Sequence, residues 1–150
     1  MQRKSFNDMQ CPIARGLEHV GEWWSILILR DAFRGLTRFD QFRESLGIAP
    51  NMLTRRLSAL VEAELLVRRR YSERPPRDEY ILTDRAWDFA PVLMALFEFG
   101  NKHFPPERVV AKIVNNETGE TIHPVLVDPA TGSAVNFDGY RLAGERKAAA

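Results

Sequence analysis

The chain has 150 residues, with Lys+Arg 21 against Asp+Glu 20, a formal net charge of +1, and 45% hydrophobic residues. That is ordinary globular composition, and the length fits one domain, or one domain with an appendage. The longest apolar run, Phe89–Phe97, falls far short of the roughly 18 residues that a membrane span requires, and the first ten residues contain no apolar stretch of the kind found in secretory signals.

Residues 1–11 are polar and predict no element. Pro12 suits the first turn of a helix, where its missing N–H costs nothing, and Ile13, Leu17 and Val20 recur at helical spacing up to Gly21. A second helix runs from Trp23 to about Phe33. Its stretch Ile26, Leu27, Ile28 and Leu29 is apolar nearly all round, which predicts a buried central helix stopped by Gly35. Thr37 is placed to cap a short third helix, with Phe39, Phe42 and Leu46 on one face and Gly47 ending it. Pro50 then opens a fourth helix with Leu53, Leu57 and Leu60 at i, i+4 and i+7. Two helices joined by a short Gly-containing turn are the helix-turn-helix pattern.

Leu65 to Tyr71 reads as a strand, Ser72 to Asp78 as a proline-rich loop, and Tyr80 to Leu82 as a returning strand, together a hairpin with a charged tip. Thr83 caps a long last helix through about His103, and Pro91 should kink or restart it. Pro105-Pro106 ends that helix. Beyond it, Val109–Val114 and Thr121–Val127 look like short strands, with turns at Asn115–Gly119 and Asp128–Gly132. Residues 107–142 therefore read as a small β-rich appendage, and the tail from Arg146 as frayed. The two Thr-Gly turns sit where a zinc ribbon would carry cysteine knuckles, but no cysteine is there.

The placement of charge says more than its sum. Of the basic residues, 17 are Arg, and eleven of these lie between Arg30 and Arg77, against six acids. A basic middle in a near-neutral chain is the footprint of a surface that meets an anion, most often nucleic acid, or else of a solvated face with scattered ion pairs. Cys11 is the single cysteine, so no internal disulfide forms, and a lone thiol suits a reducing cytoplasm. His19, His103 and His123 stand in no metal-ligand spacing, so neither a metal nor another cofactor is expected.

With Leu57 against the core, the 100° helical step places Asn51, Arg55, Ser58 and Glu62 outward, with Thr54 at their flank. Such residues read base edges in a major groove, Arg55 by forking onto a guanine and Asn51 onto an adenine or a phosphate. Arg56, next on the same helix, is expected to contact DNA with them. Arg74 and Arg77 flank Pro75-Pro76 on the hairpin, where restricted backbone lowers the entropy of laying arginines along DNA. Arg38 opens the third helix, at a phosphate-facing helix end. Arg68, Arg69 and Arg70 alternate around a strand, so at least one pairs internally.

Cys11-Pro12, Gly21 with Trp24, Ile28-Leu29, Arg38-Phe39, Gly47-Ile48, Leu53-Thr54, Leu57, Leu60, Arg68, Pro75-Pro76-Arg77, Glu79-Tyr80 and Leu82-Thr83 stand at the spacing of a known family. Over about residues 11–104 the chain resembles the HxlR-type transcriptional regulators, a branch of the MarR-like winged-helix proteins. The resemblance implies homodimers that bind palindromic operators and act as local repressors or activators. It departs from the family at Trp23, where Lys is usual, at Glu64 and Ala86, where Gly is usual, and at Asp78, where Val is usual. Trp23 is expected in core or dimer packing, and Glu64 leaves the turn out of the fourth helix open.

In some relatives a Cys-Pro thiol senses oxidants or electrophiles. Cys11 lies just before a helix N-terminus, where the dipole favours the thiolate. Without a second cysteine, a switch needs a bridge between subunits or an adduct; the other reading is an ordinary small residue at the dimer interface. The last helix, with Trp87, Leu93, Leu96, Phe97 and Phe99, carries more apolar surface than one small core needs, so it should build the dimer with Ile13 and Leu17 of the first helix. The appendage packs against the dimer or holds a small ligand.

The expected fold is α+β, mostly α: a winged helix-turn-helix with a long C-terminal dimerisation helix over residues 1–104, and a small β-rich extension over 105–150. The expected function is sequence-specific, cytoplasmic DNA-binding regulation with double-stranded DNA as partner, together with a possible small-molecule effector. No Gly-rich phosphate loop, nucleophile elbow or usefully paired His argues for an enzyme. The rival is a winged helix that binds protein; such modules usually lose the arginines that stand here at Arg55, Arg56, Arg74 and Arg77.

Overall fold

Pro12 and Pro50 each begin a helix where a missing N–H is free of cost. The computed structural model describes residues 5–9, 11–104, 111–136, 138, 139, 141 and 143. In chain order it shows α1 (Pro12–Val20), α2 (Trp23–Phe33), α3 (Phe39–Leu46), α4 (Pro50–Glu62), β1 (Leu66–Glu73), β2 (Pro76–Leu82) and α5 (Asp84–His103). By packing, the chain falls into two units, one through Leu93 and one from Met94, so the division lies inside α5.

The first unit is built around α2, which packs against α1, α3, α4 and β2. Ile28 and Leu29 of α2 are fully buried with Phe42, Leu53, Leu57 and Leu60, and Leu66 and Ala86 complete this centre. Burying each large aliphatic side chain contributes about 1.5–3 kcal/mol, and the i, i+4, i+7 spacing of the three leucines on α4 is what turns its opposite face outward. Asp31 is also fully buried. Its Oδ1 accepts the Nε–H of Arg30 at 2.9 Å and lies 3.5 Å from Arg34, which holds the end of α2 to its own arginines.

Several boundaries differ from the sequence expectation. The cap of α3 is Arg38, not Thr37, because Gln41 reaches back: its Oε1 accepts the backbone N–H groups of both Thr37 and Arg38 at 3.0 Å. The expected proline-rich loop Ser72–Asp78 is mostly strand. β1 and β2 pair antiparallel from Leu66–Leu82 out to Glu73–Pro76, leaving only Arg74 and Pro75 at the tip. Pro permits this because β2 is an edge strand, bonded to β1 on one side and, on the other, bridged among the described residues only at Arg38–Glu79. α5 runs as one element through Pro91, so of the kink or restart expected there, the restart does not occur. Thr83 does cap it, accepting the Ala86 N–H at 3.3 Å.

Glu64 adopts a left-handed backbone, φ 57°, at the exit of α4. Leu65 N–H donates to Leu60 O at 2.9 Å, the closure usual for a glycine at this position. Glu64 is held there by its neighbours: Thr83 Oγ1 donates to its carbonyl at 2.6 Å, and its carboxylate pairs with Arg85 at 2.7 Å.

In the second unit the expected strands reduce to isolated bridges, Val114–Thr121 and Val127–Ala134; residues 109 and 110 and the Pro105-Pro106 stop lie outside the described residues, as does the tail. Each bridge closes one turn of the same design. Asn115 Oδ1 accepts the Glu117 and Thr118 N–H groups, and Asp128 Oδ1 accepts that of Ala130. Gly119 and Gly132 both take φ 71°. Two residues per turn are too few for a ladder, so local side-chain bonds hold what strand pairing does not.

Candidate nucleic-acid interface

α3 ends at Gly47, whose φ of 60° lets its N–H return to Arg43 O at 2.9 Å. Ile48 is buried in the turn, and α4 starts two residues later. Burial of Leu53, Leu57 and Leu60 leaves Asn51, Thr54, Arg55 and Ser58 exposed along one stripe of α4, as the 100° step predicts. Thr54 is partly committed, since its Oγ1 donates to Pro50 O at 3.0 Å. Glu62 is exposed near the C-terminal end.

Arg56 does not share that stripe. Its side chain is 22% exposed and turns toward Glu22 at the start of α2, Nη2 to Oε2 3.4 Å. A helical position flanking the core leaves both orientations open from the sequence, and the acid on the neighbouring helix decides between them.

On the hairpin, all three strand arginines are paired. Arg68 and Arg70 both donate to Asp78, on the side where they alternate outward, and Arg69 places Nε and Nη2 on Glu79 Oε1 at 3.0 and 2.7 Å. These contacts hold both carboxyls below the usual carboxylate range, Asp78 chiefly through Arg70 and Glu79 chiefly through Arg69. Burial pushes the neighbouring Tyr80 hydroxyl above its ordinary value. Asp78, a departure from the family pattern, is therefore the acid that two arginines of the wing share. The wing is also tied to the loop before α3. Tyr80 N–H donates to Thr37 O at 2.7 Å, and Thr37 Oγ1 to Glu79 Oε2 at 3.3 Å.

The basic middle thus sorts itself. Arg30 and Arg34 meet Asp31, Arg43 lies 3.9 Å from Asp40, Arg56 meets Glu22, and Arg68, Arg69 and Arg70 meet Asp78 and Glu79. Arg38, Arg55, Arg74 and Arg77 are exposed and have no carboxylate partner among the described residues. They come from the cap of α3, the outward face of α4 and the tip of the wing. Unpaired guanidiniums keep all their donors for a phosphate or a base edge.

The other expected residues fall into two groups. Ile13, Leu17 and Trp87 are 60%, 44% and 59% exposed, and Leu96 and Phe99 are exposed too, whereas Phe97 is half-buried and Leu93 packs against the core. Trp87 sets its ring edge-on to Phe33, centroids 4.9 Å apart. Trp23 is 73% exposed, so core packing is not its role in a single chain. Between α1 and the start of α5 runs a groove of about 540 Å³, whose lining includes the apolar Ile13, Leu17, Val20, Leu65, Phe89 and Val92 and the polar His19, Arg85 and Asp88. Cys11 is exposed at the N-cap of α1. Among the described residues no group of three His, Cys, Asp or Glu is placed to hold a metal ion, and no helix is long and apolar enough to cross a membrane.

A helix-turn-helix with a polar outward second helix, followed by a two-stranded arginine-tipped wing, defines a winged-helix DNA-binding regulator. Residues 19–108 match the model of the HxlR-like helix-turn-helix family, and the chain belongs to that family. Among curated relatives, the uncharacterized HTH-type transcriptional regulator Rv3095 of Mycobacterium tuberculosis H37Rv is 39% identical over 82% of this chain and 78% of its own. Among solved structures, PA1607, a candidate transcription factor, is 35% identical with TM-score 0.84 over 95% of this chain and all of its own. PA1374 of Pseudomonas aeruginosa, described likewise, is 48% identical with TM-score 0.65 over 93% of this chain and 95% of its own. The protein is a DNA-binding transcriptional regulator of the MarR-like winged-helix type, and its family is one of regulators, not enzymes.

Proposed function

We propose that the chain works in the cytoplasm as a homodimer on a palindromic operator, with residues 1–104 supplying DNA binding and dimerisation and residues 105–150 an extension. The observation that carries this reading is the sorting of the arginines: seven of the eleven in the basic middle are paired with named acids, while Arg38, Arg55, Arg74 and Arg77 are exposed without a carboxylate partner among the described residues. Asn51, Thr54, Arg55 and Ser58 read base edges from α4. Arg74 and Arg77 lie along backbone or minor groove, and Arg38 takes a phosphate. Arg56 supports α4 from behind through Glu22.

Dimerisation is supported by helices that one chain leaves largely uncovered. Over its whole length α5 buries only Ala86, and α1 only Val20. A two-fold dimer reads half-sites about 34 Å apart. Selection of bound fragments from sheared genomic DNA tests this. The expected result is an enriched palindrome with that half-site spacing; enrichment of a single unpaired half-site, or of none, contradicts it. An exposed thiol at a helix N-terminus is where a thiol-reactive effector would act on this chain. Cys11→Ser then keeps operator binding and loses the response to oxidant, and an unchanged response removes Cys11 from the account.

A further inference from the structure

Arg38 is exposed and forms no salt bridge among the described residues, although its charge reaches Glu79, yet its side chain is not loose. Its guanidinium carbon sits 4.5 Å from the centroid of the Tyr71 ring. Three facts of the sheet bring the two together. Thr37–Arg38 runs beside β2 through the Arg38–Glu79 bridge, so β2 is flanked by β1 on one side and by the cap of α3 on the other. The register of β1 slips between Arg70, opposite Asp78, and Ser72, opposite Arg77, which makes Tyr71 the extra residue of a β-bulge. Such a bulge re-aims a side chain out of the regular alternation. Finally, Glu79, which faces Arg38 across that bridge, is already occupied: Oε1 takes both Arg69 donors and Oε2 takes the Thr37 hydroxyl.

We propose that Tyr71 is a positioning residue for DNA binding: its ring holds the Arg38 guanidinium by its face, so that the in-plane N–H groups of Arg38 meet a DNA phosphate already oriented. The inference rests on the DNA reading above and deepens it. A guanidinium stacked on an aromatic ring spends none of its five N–H donors, whereas one paired to a carboxylate spends two. The stack also removes rotamer freedom before binding, so less is lost on contact. The hairpin and the helix-turn-helix are thereby coupled through one side-chain pair. The sequence shows Tyr71 only as the last residue of an alternating strand, because the bulge that turns it toward Arg38 is not written in the alternation.

The test is a double-mutant cycle on the full chain, with the enriched operator, read as affinity against salt. Arg38→Ala removes one phosphate contact and lowers the salt slope by about 0.9. Tyr71→Ala weakens binding about two- to fivefold, the range of an exposed cation–π contact, and has no further effect in the Arg38→Ala background. Tyr71→Phe keeps the ring and binds as the wild type does. Equal losses from Tyr71→Ala in both backgrounds overturn the proposal, because Tyr71 then acts on DNA directly or through the fold of the wing. Loss in Tyr71→Phe overturns it as well, by assigning the effect to the hydroxyl. A wild type that binds no DNA overturns the DNA reading and this proposal together, whereas a wild type that binds with an additive cycle overturns this proposal alone.

Discussion

Glu64 shows at the level of one residue how the sequence and the backbone can disagree. A left-handed conformation costs a non-glycine residue about 1–2 kcal/mol, and Glu64 adopts it at the exit of α4. The pair with Arg85 is largely solvated and offsets little of that cost. Glu64→Gly is expected to stabilise the fold by a net of about 0.5–1 kcal/mol, after allowing for the extra chain entropy of glycine. A thermal melt checks it, and a lowered Tm would show that Arg85 and Thr83 contribute more than the strain. The opposite holds at Gly21, where an added Cβ would lie 2.3 Å from Leu17 O, so Gly21→Ala is expected to lower Tm. Both positions were visible in the sequence as helix ends. Only the structure tells which of them truly needs glycine. Among the site residues, Asn51, Arg55 and Ser58 were legible because one helical period fixes their face once Leu57 is buried. Arg56 was not, since its orientation depends on Glu22, an acid on another helix.

At the scale of elements, the helices were the most legible, because each carries its own period and stop signal. The wing was less so. Prolines at 75 and 76 suggested a long loop, but the chain turns within Arg74 and Pro75, and the strands pair almost to the tip. To the backbone ladder the wing adds cross-strand pairs, Arg68 and Arg70 on Asp78 and Arg69 on Glu79. Both acids have carboxyl groups lowered in the folded chain, below ordinary values of 3.8 and 4.5. Their contribution is therefore complete above those ordinary values and is lost as pH falls through the lowered ones. Stability is expected to be flat in this respect from pH 7 to about 5 and to fall below about 4. Thermal melts across that range check it, with Asp78→Asn and Glu79→Gln together expected to flatten the acid limb. An unchanged acid limb in that double variant would place its origin elsewhere.

For the whole molecule, the C-terminal unit was the least legible part. Alternation between Val109 and Val127 resembles strands, yet the described residues form only two bridged turns, held by Asn115 and Asp128. In the proposed dimer the exposed apolar residues on α1 and α5 are covered by a second copy. Light scattering is expected to give twice the chain mass, and Ile13→Glu, at a position 60% exposed, to shift it toward monomer with its fold intact. The central claim is that α4 reads bases while the wing arginines grip backbone, and fluorescence titrations on the selected operator and on single-base variants of it test that most directly. Arg55→Ala is expected to cost about 1–3 kcal/mol on the operator and to abolish discrimination at one base pair of each half-site. Arg74→Ala is expected to weaken binding to every sequence alike, with a smaller salt slope. If Arg55→Ala instead weakens all sequences equally and leaves discrimination unchanged, α4 does not read the operator through Arg55, and the account fails at its centre.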